Sequence, residues 1–191
     1  MIQLKQPLIL ASKSPRRQHL LKEANIPFIV KTKSIDETFP SELDLAEVAA
    51  YIAKDKAEAA SIFLEDENDI LLTADSVVAT GNHFLAKPEG AEDAKRMLRI
   101  LSGRMHYVYT GVCIKSKAKE EVFTGTSKVY MNELTEAEID FYIDQFQPYD
   151  KAGSYAIQEW IGLCKISKIE GTYANIMGLP VDLVYQCLLN W

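Results

Sequence analysis

The sequence predicts a mixed α/β protein, and three observations carry that expectation. Short apolar runs alternate along the chain with segments of helical periodicity. Residues 70–87 read as two strands folded about Gly81-Asn82. Residues 107–115 and 121–131 read as two long strands joined by the charged turn Lys117-Ala118-Lys119-Glu120.

Residues 7–12 form the first apolar run and residues 26–31 the second. Between them, residues 15–24 suit a helix with Leu20, Leu21 and Ala24 on one face. Ser14 is a good N-cap and Pro15 occupies the first helical position, where its missing N–H costs nothing. In residues 44–63, Leu45, Val48, Ala49, Ile52 and Ala53 recur at helical spacing. Residues 65–69 read as a solvated acidic loop, and residues 70–80 as a β-rich run turning at Gly81-Asn82 into 83–87. Residues 91–101 read as a helix stopped at Ser102-Gly103, with Gly103 a left-handed cap. Thr135-Glu136-Ala137-Glu138 has the capping-box pattern and opens a helix to residue 146. The remainder mixes loops with a short strand and closes in a helix over 181–189.

Composition narrows the function. The chain has 191 residues, 48% hydrophobic and 25% charged, which suits one domain or two closely joined lobes of a soluble protein. No apolar run approaches the roughly 20 residues of a transmembrane helix, and the N-terminal segment lacks a secretory core. A cytoplasmic location without membrane partners is expected. The net charge of −6 disfavours duplex nucleic acid, while leaving room for a local basic pocket that takes a small polyanion. Cys113, Cys164 and Cys187 are scattered without CxxC spacing and read as packing residues, not a disulfide framework or zinc site. His19, His83 and His106 show no metal-binding spacing. Trp160 and Trp191 read as packing residues. No nucleophile elbow, P-loop or dinucleotide-binding fingerprint is present.

Five segments carry chemistry. Ser12-Lys13-Ser14-Pro15-Arg16-Arg17 places two guanidinium groups at a helix N-terminus, where they are unfavourable unless an anion visits. In Leu71-Leu72-Thr73-Ala74-Asp75-Ser76-Val77-Val78, an aspartate interrupts an apolar strand. It must sit at the strand's mouth, bind a metal or meet a cation, because burying it unpaired is costly. Lys56, Lys87 and Glu37 form the third set, each weak alone; Lys87 precedes Pro88 in an extended, rigid segment. Leu101-Ser102-Gly103-Arg104 and Asp150-Lys151-Ala152-Gly153-Ser154-Tyr155-Ala156-Ile157-Gln158 are polar loops containing glycine, suited to close approach by a ligand.

Together with Asp36-Glu37, Lys56-Ala57, Lys87-Pro88, Tyr109-Thr110-Gly111-Val112 and Gly178-Leu179-Pro180, these segments resemble the Maf family of nucleoside triphosphate pyrophosphatases. The matches run from Leu8 to Pro180, and their joint occurrence is far more specific than any one of them. The resemblance implies a single Maf-like domain over 1–191, two-lobed around a nucleotide cleft and similar to the inosine triphosphate pyrophosphatases. It implies hydrolysis of a nucleoside triphosphate to the monophosphate and pyrophosphate with Mg²⁺ or Mn²⁺, and a homodimer as a common state. The Ile157-Gln158 form of the late motif is similar to the branch acting on dTTP and UTP, in which the residue at Asp75 is the proton acceptor. Arg16, Ser76 and Gln158 match positions associated with substrate choice. The chain has Ser76 where the family commonly has threonine, Gln147 for glutamate, and Ala156 and Glu159 for glycine.

The residue chemistry agrees with that implication. Arg16, Arg17, Lys56 and Lys87 offset a triphosphate's charge, and Ser12, Ser14, Arg104 and Lys151 join them as binding candidates. Glu37 and Asp75 repel the same anion unless a divalent ion bridges them to it. Asp75 then accepts a proton from water attacking the α-phosphate, and the Gln158 amide reads a pyrimidine edge. Two rivals are a weakly catalytic nucleotide-binding regulator of septum formation and the same chemistry on 7-methyl-GTP or another non-standard nucleotide. Single-strand nucleic-acid binding lacks the basic, aromatic-lined groove it needs.

Overall fold

Alternation along the first strands explains how the sheet is covered. In a computed structural model, which describes residue 2 and residues 4–191, β1 (Leu8–Leu10) lies parallel to both β2 (Phe28–Val30) and β3 (Leu71–Thr80). Successive side chains on a strand point to opposite faces. Leu8, Leu10, Leu72 and Ala74 share a core with Leu21 of α1 (Pro15–Glu23), and Ile9 and Leu71 share another with Ala53, Ala57 and Ala60 of α2 (Leu45–Ala60). With both faces covered, β3 reads as a nearly unbroken apolar run. Among the described residues one mixed sheet of seven strands has the order β2-β1-β3-β5-β6-β7. Here β5 is Met105–Lys115, β6 Glu120–Met131 and β7 Ile166–Glu170, while β4 (His83–Leu85) pairs antiparallel with β3. The mixed α/β class expected from the sequence is what is found.

The chain divides into two compact units. The first contains the chain up to Asp75, Thr110–Gly125 and Gly178–Trp191. It holds β1, β2, α1, α2 and the closing helix α7 (Val181–Leu189), whose Val184 and Leu188 join the Leu8 core. Asp44 caps α2 by accepting from the Ala46 N–H at 2.9 Å. The helix expected over 44–63 tightens into a 3₁₀ turn at Ser61–Phe63, where the Ser61 hydroxyl donates back to the Ala57 carbonyl. Thr73 ties β3 to this helix by donating to the Ala53 carbonyl at 2.6 Å. Gly111 of β5 packs closely on α2: a Cβ there would stand 2.1 Å from the Ala49 carbonyl carbon. Gly111→Ala should therefore lower stability by about 3 kcal/mol, because backbone and not a flexible side chain must move. Denaturant unfolding measures this, and a loss below about 0.5 kcal/mol would show that α2 shifts freely.

The second unit contains Ser76–Tyr109 and Thr126–Met177. Ala94, Met97, Leu98 and Leu101 of α3 (Ala91–Leu101) and Ile139, Tyr142 and Ile143 of α4 (Glu136–Phe146) supply helical stripes to its core. Gly103 is left-handed at φ 67°, as expected for the stop after α3. Both halves of the capping box form: Thr135 Oγ1 accepts from the Glu138 N–H at 3.3 Å, and Glu138 accepts from the Thr135 N–H at 2.8 Å. Trp160 packs against this core, as expected, and Trp191 against that of the first unit. Two short helices, α5 (Trp160–Cys164) and α6 (Tyr173–Met177), occupy what the sequence suggested were loops. Cys113 is buried and Cys187 half-buried, but Cys164 is exposed, correcting its expected packing role. The end of α5 carries it to the surface beside exposed Leu163.

Candidate functional site

The N-terminus of α1 is built as its sequence suggests. Ser14 is extended at φ −62°, ψ 116°, and its hydroxyl accepts from the Arg17 N–H at a stretched 3.5 Å. Ser12 Oγ accepts from the Ser14 N–H at 3.3 Å and from Arg17 Nη1 at 3.2 Å. Arg17 Nε donates to the Gly178 carbonyl at 2.7 Å. Gly178 is left-handed at φ 118°, a conformation glycine adopts at little cost. Arg17 is thus fixed from two sides and is not a loose surface cation. Enclosure lowers its pKa, and neighbouring Asp75 and Glu37 oppose that pull. Arg16 is half-buried beside it.

Strand parity places Asp75. Leu71, Thr73 and Asp75 share a face of β3, and the first two lean on α2. Lys56 lies three residues after Ala53 on that helix, about one turn on. Its ammonium donates to Asp75 Oδ1 at 2.6 Å and pairs with Glu37 Oε1 at 2.6 Å. The aspartate is 7% exposed and the lysine side chain 17%, so this pair is largely withdrawn from water. Of the environments open to an aspartate in an apolar strand, the structure shows it meeting a cation.

The remaining candidates belong to the second unit. Ser76 follows Asp75 on β3 and points to the opposite face. Lys87 and Arg104 are exposed. The main chain of Arg104 is fixed by Leu101 and Met131, each through a 3.1 Å hydrogen bond. Lys151 is 8% exposed and pairs with Asp150 Oδ1 at 2.7 Å and Glu159 Oε1 at 3.4 Å. After it the chain turns through Gly153 and Ser154, both left-handed, and the Gly153 N–H donates to the Ala86 carbonyl at 3.2 Å. A serine at φ 61° is held there against its own preference. Gln158 is half-buried, and its Oε1 is buried without a hydrogen-bond partner among the described residues.

Two supports were not legible in the sequence. Tyr142, from α4, accepts from the Ala156 N–H at 3.1 Å and hydrogen-bonds the Glu159 carboxylate. Burial, with the hydrogen bond to Glu159, pushes its phenol pKa up, so it stays a donor. His106, fully enclosed, shares a 2.6 Å hydrogen bond with Tyr155. Burial lowers the pKa of its ring from 6.5 to about 4 and raises that of Tyr155, so both groups are neutral at pH 7. The unfolded chain takes up this proton near 6.5 while the folded chain refuses it to about 4. Stability is therefore full above that window and falls through it, by about 3 kcal/mol from this ring. In urea unfolding between pH 7 and 4.5, His106→Gln should show the shallower pH dependence; equal dependence would contradict the assignment.

The first unit of this α/β protein thus holds a half-buried lysine that bridges two carboxylates and a helix N-terminus flanked by arginines, and the second holds a polar glycine loop. Residues 7–191 match the family described as Maf-like protein, and the chain belongs to it. Similar proteins named dTTP/UTP pyrophosphatase include those of the following three bacteria. That of Porphyromonas gingivalis is 46% identical over 189 residues, covering 98% of this chain and 95% of that protein. That of Flavobacterium psychrophilum is 45% identical over 183 residues, 96% and 93% of the two chains. That of Bacteroides thetaiotaomicron is 43% identical over 182 residues, 95% and 94%. Among solved structures, the Ham1 protein of Staphylococcus aureus aligns at 16% identity and a TM-score of 0.49, covering 66% of this chain and 72% of that one. Among the described residues no helix is long and apolar enough to cross a membrane.

Proposed function

We propose that this protein is a nucleoside triphosphate pyrophosphatase that converts dTTP and UTP to the monophosphate and pyrophosphate. The observation that carries the reading is the Lys56 ammonium, held 2.6 Å from both Glu37 and Asp75. It presents a cation and two carboxylates together, as an attack on a polyanion by an activated water requires. The activity named for relatives above 40% identity supports it.

In this reading Arg16, Arg17 and Lys56 bind phosphate oxygens with the Ser12 and Ser14 hydroxyls and the first amides of α1. Lys87, Arg104 and Lys151 are the second unit's candidates for the triphosphate, and Ser76 and Gln158 for the nucleoside. Glu37 and Asp75 suit Mg²⁺ or Mn²⁺, since their hard oxygen donors already converge on one cationic group. Among the described residues no set of three or more His, Cys, Asp or Glu side chains is arranged to hold an ion, so an ion held by Glu37 and Asp75 would need further ligands from substrate or solvent. Held by Glu37 and Asp75, such an ion would supply charge neutralisation. Asp75 accepts a proton from the water whose oxygen bonds to the α-phosphorus. The bond to the bridging oxygen breaks, and the arginines and lysines stabilise the departing pyrophosphate.

The test is pyrophosphate release from dTTP, UTP, CTP, GTP, ITP and 7-methyl-GTP, with Mg²⁺, Mn²⁺ or EDTA. Metal-dependent release led by dTTP and UTP is expected. Release led by 7-methyl-GTP or ITP overturns the base preference alone. Folded protein inert on every nucleotide overturns the reaction and favours a nucleotide-binding regulator.

A further inference from the structure

Glu159 occupies the N-cap position of α5 but makes no side-chain cap. Its two carboxylate oxygens are taken up elsewhere. Oε2 hydrogen-bonds the Tyr142 hydroxyl, and Oε1 lies 3.4 Å from Lys151 Nζ. The same Tyr142 hydroxyl accepts from the Ala156 N–H at 3.1 Å, so one buried phenol grips both ends of the turn 156–159. That turn is closed by Glu159 N–H to the Ala156 carbonyl at 3.1 Å and backed by Gly162, where a Cβ would come within 1.7 Å of the Ile157 carbonyl oxygen. At its centre stands Gln158, whose buried amide oxygen has no hydrogen-bond partner among the described residues. An unsatisfied buried acceptor is costly, and the cost is recovered only when a donor arrives at the angle the turn dictates.

We propose that Tyr142 and Glu159 are positioning residues that set nucleobase selectivity by clamping the turn that carries Gln158. The inference rests on the pyrophosphatase reading and deepens it. Thymine and uracil present an N–H donor at ring position 3, where cytosine presents an acceptor. A fixed acceptor at Gln158 therefore favours dTTP and UTP over CTP, whereas a turn free to rotate lets the amide offer its NH₂ instead. Glu159 also adds a second carboxylate to Lys151, which keeps Asp150 at 2.7 Å when Glu159 is altered.

The experiment compares kcat and KM for dTTP, UTP and CTP in wild type, Tyr142→Phe, Glu159→Ala and Glu159→Gln, each checked for folding by circular dichroism. Tyr142→Phe and Glu159→Ala should reduce the preference for dTTP and UTP over CTP about tenfold, mainly by raising KM for the first two. Glu159→Gln, which still accepts from the Tyr142 hydroxyl, should retain it. An unchanged preference in both disruptive variants overturns the inference alone, as does an equal loss on all three nucleotides, which would mark a merely structural role. Wild-type protein that cleaves none of the three overturns the pyrophosphatase reading, and the inference with it.

Discussion

Asp75→Asn should reduce turnover of dTTP about 10³-fold while the protein still folds. The amide is the same size as the carboxylate, and its oxygen still accepts from Lys56 Nζ, which sits at 2.6 Å in the wild type. Lys56 also keeps the Glu37 carboxylate at 2.6 Å, so the ammonium is not left without an anion. What the variant loses is the basic oxygen that takes the water's proton, together with one hard donor to a divalent ion. Pyrophosphate release and thermal unfolding, measured on the same preparation, separate the two effects. Near-normal turnover from folded protein would overturn the role of Asp75.

Lys56→Met should be damaging in two ways at once. The ammonium lies between Asp75 and Glu37, with 17% of the lysine side chain exposed. Its removal leaves Asp75, itself 7% exposed, close to a second carboxylate with no cation between them. Breaking a fully buried pair costs several kcal/mol, and the partial exposure of Glu37 reduces the expected loss to about 2 kcal/mol. The value of kcat/KM for dTTP should fall about 10²-fold or more, since charge placed where the pyrophosphate departs is lost. A structural ion pair alone predicts the first effect without the second. A lower melting temperature with unaltered kinetics below it would therefore remove Lys56 from the chemistry.

Much of this was legible because it is local. The Ser14 cap, the Thr135 capping box and the left-handed Gly103 each depend on a few consecutive residues. The aspartate in β3 was conspicuous because burying a charge is costly, and the cation it demands stands 2.6 Å away. The missing pieces are nonlocal or too short to have a period. Helices α5 and α6 have five residues each, less than two turns, so no periodicity distinguishes them from loops. Tyr142 reads as one more apolar position of an amphipathic helix; its hydroxyl gains meaning only from Ala156 and Glu159, which the fold brings to it. His106 is likewise silent until Tyr155, 49 residues later, is placed against it. Asp69, read as part of a solvated loop, is buried and accepts from the Glu65 and Asp66 N–H groups at 2.8 and 2.7 Å. Its backbone-satisfying role is invisible in a run of charged residues.

The measurement that tests the central claim most directly is hydrolysis of dTTP in ¹⁸O-labelled water, with mass spectrometry of the products. Attack on the α-phosphorus predicts dTMP carrying one ¹⁸O on its phosphate and unlabelled pyrophosphate. Label in the pyrophosphate, or release of dTDP and inorganic phosphate, would contradict it.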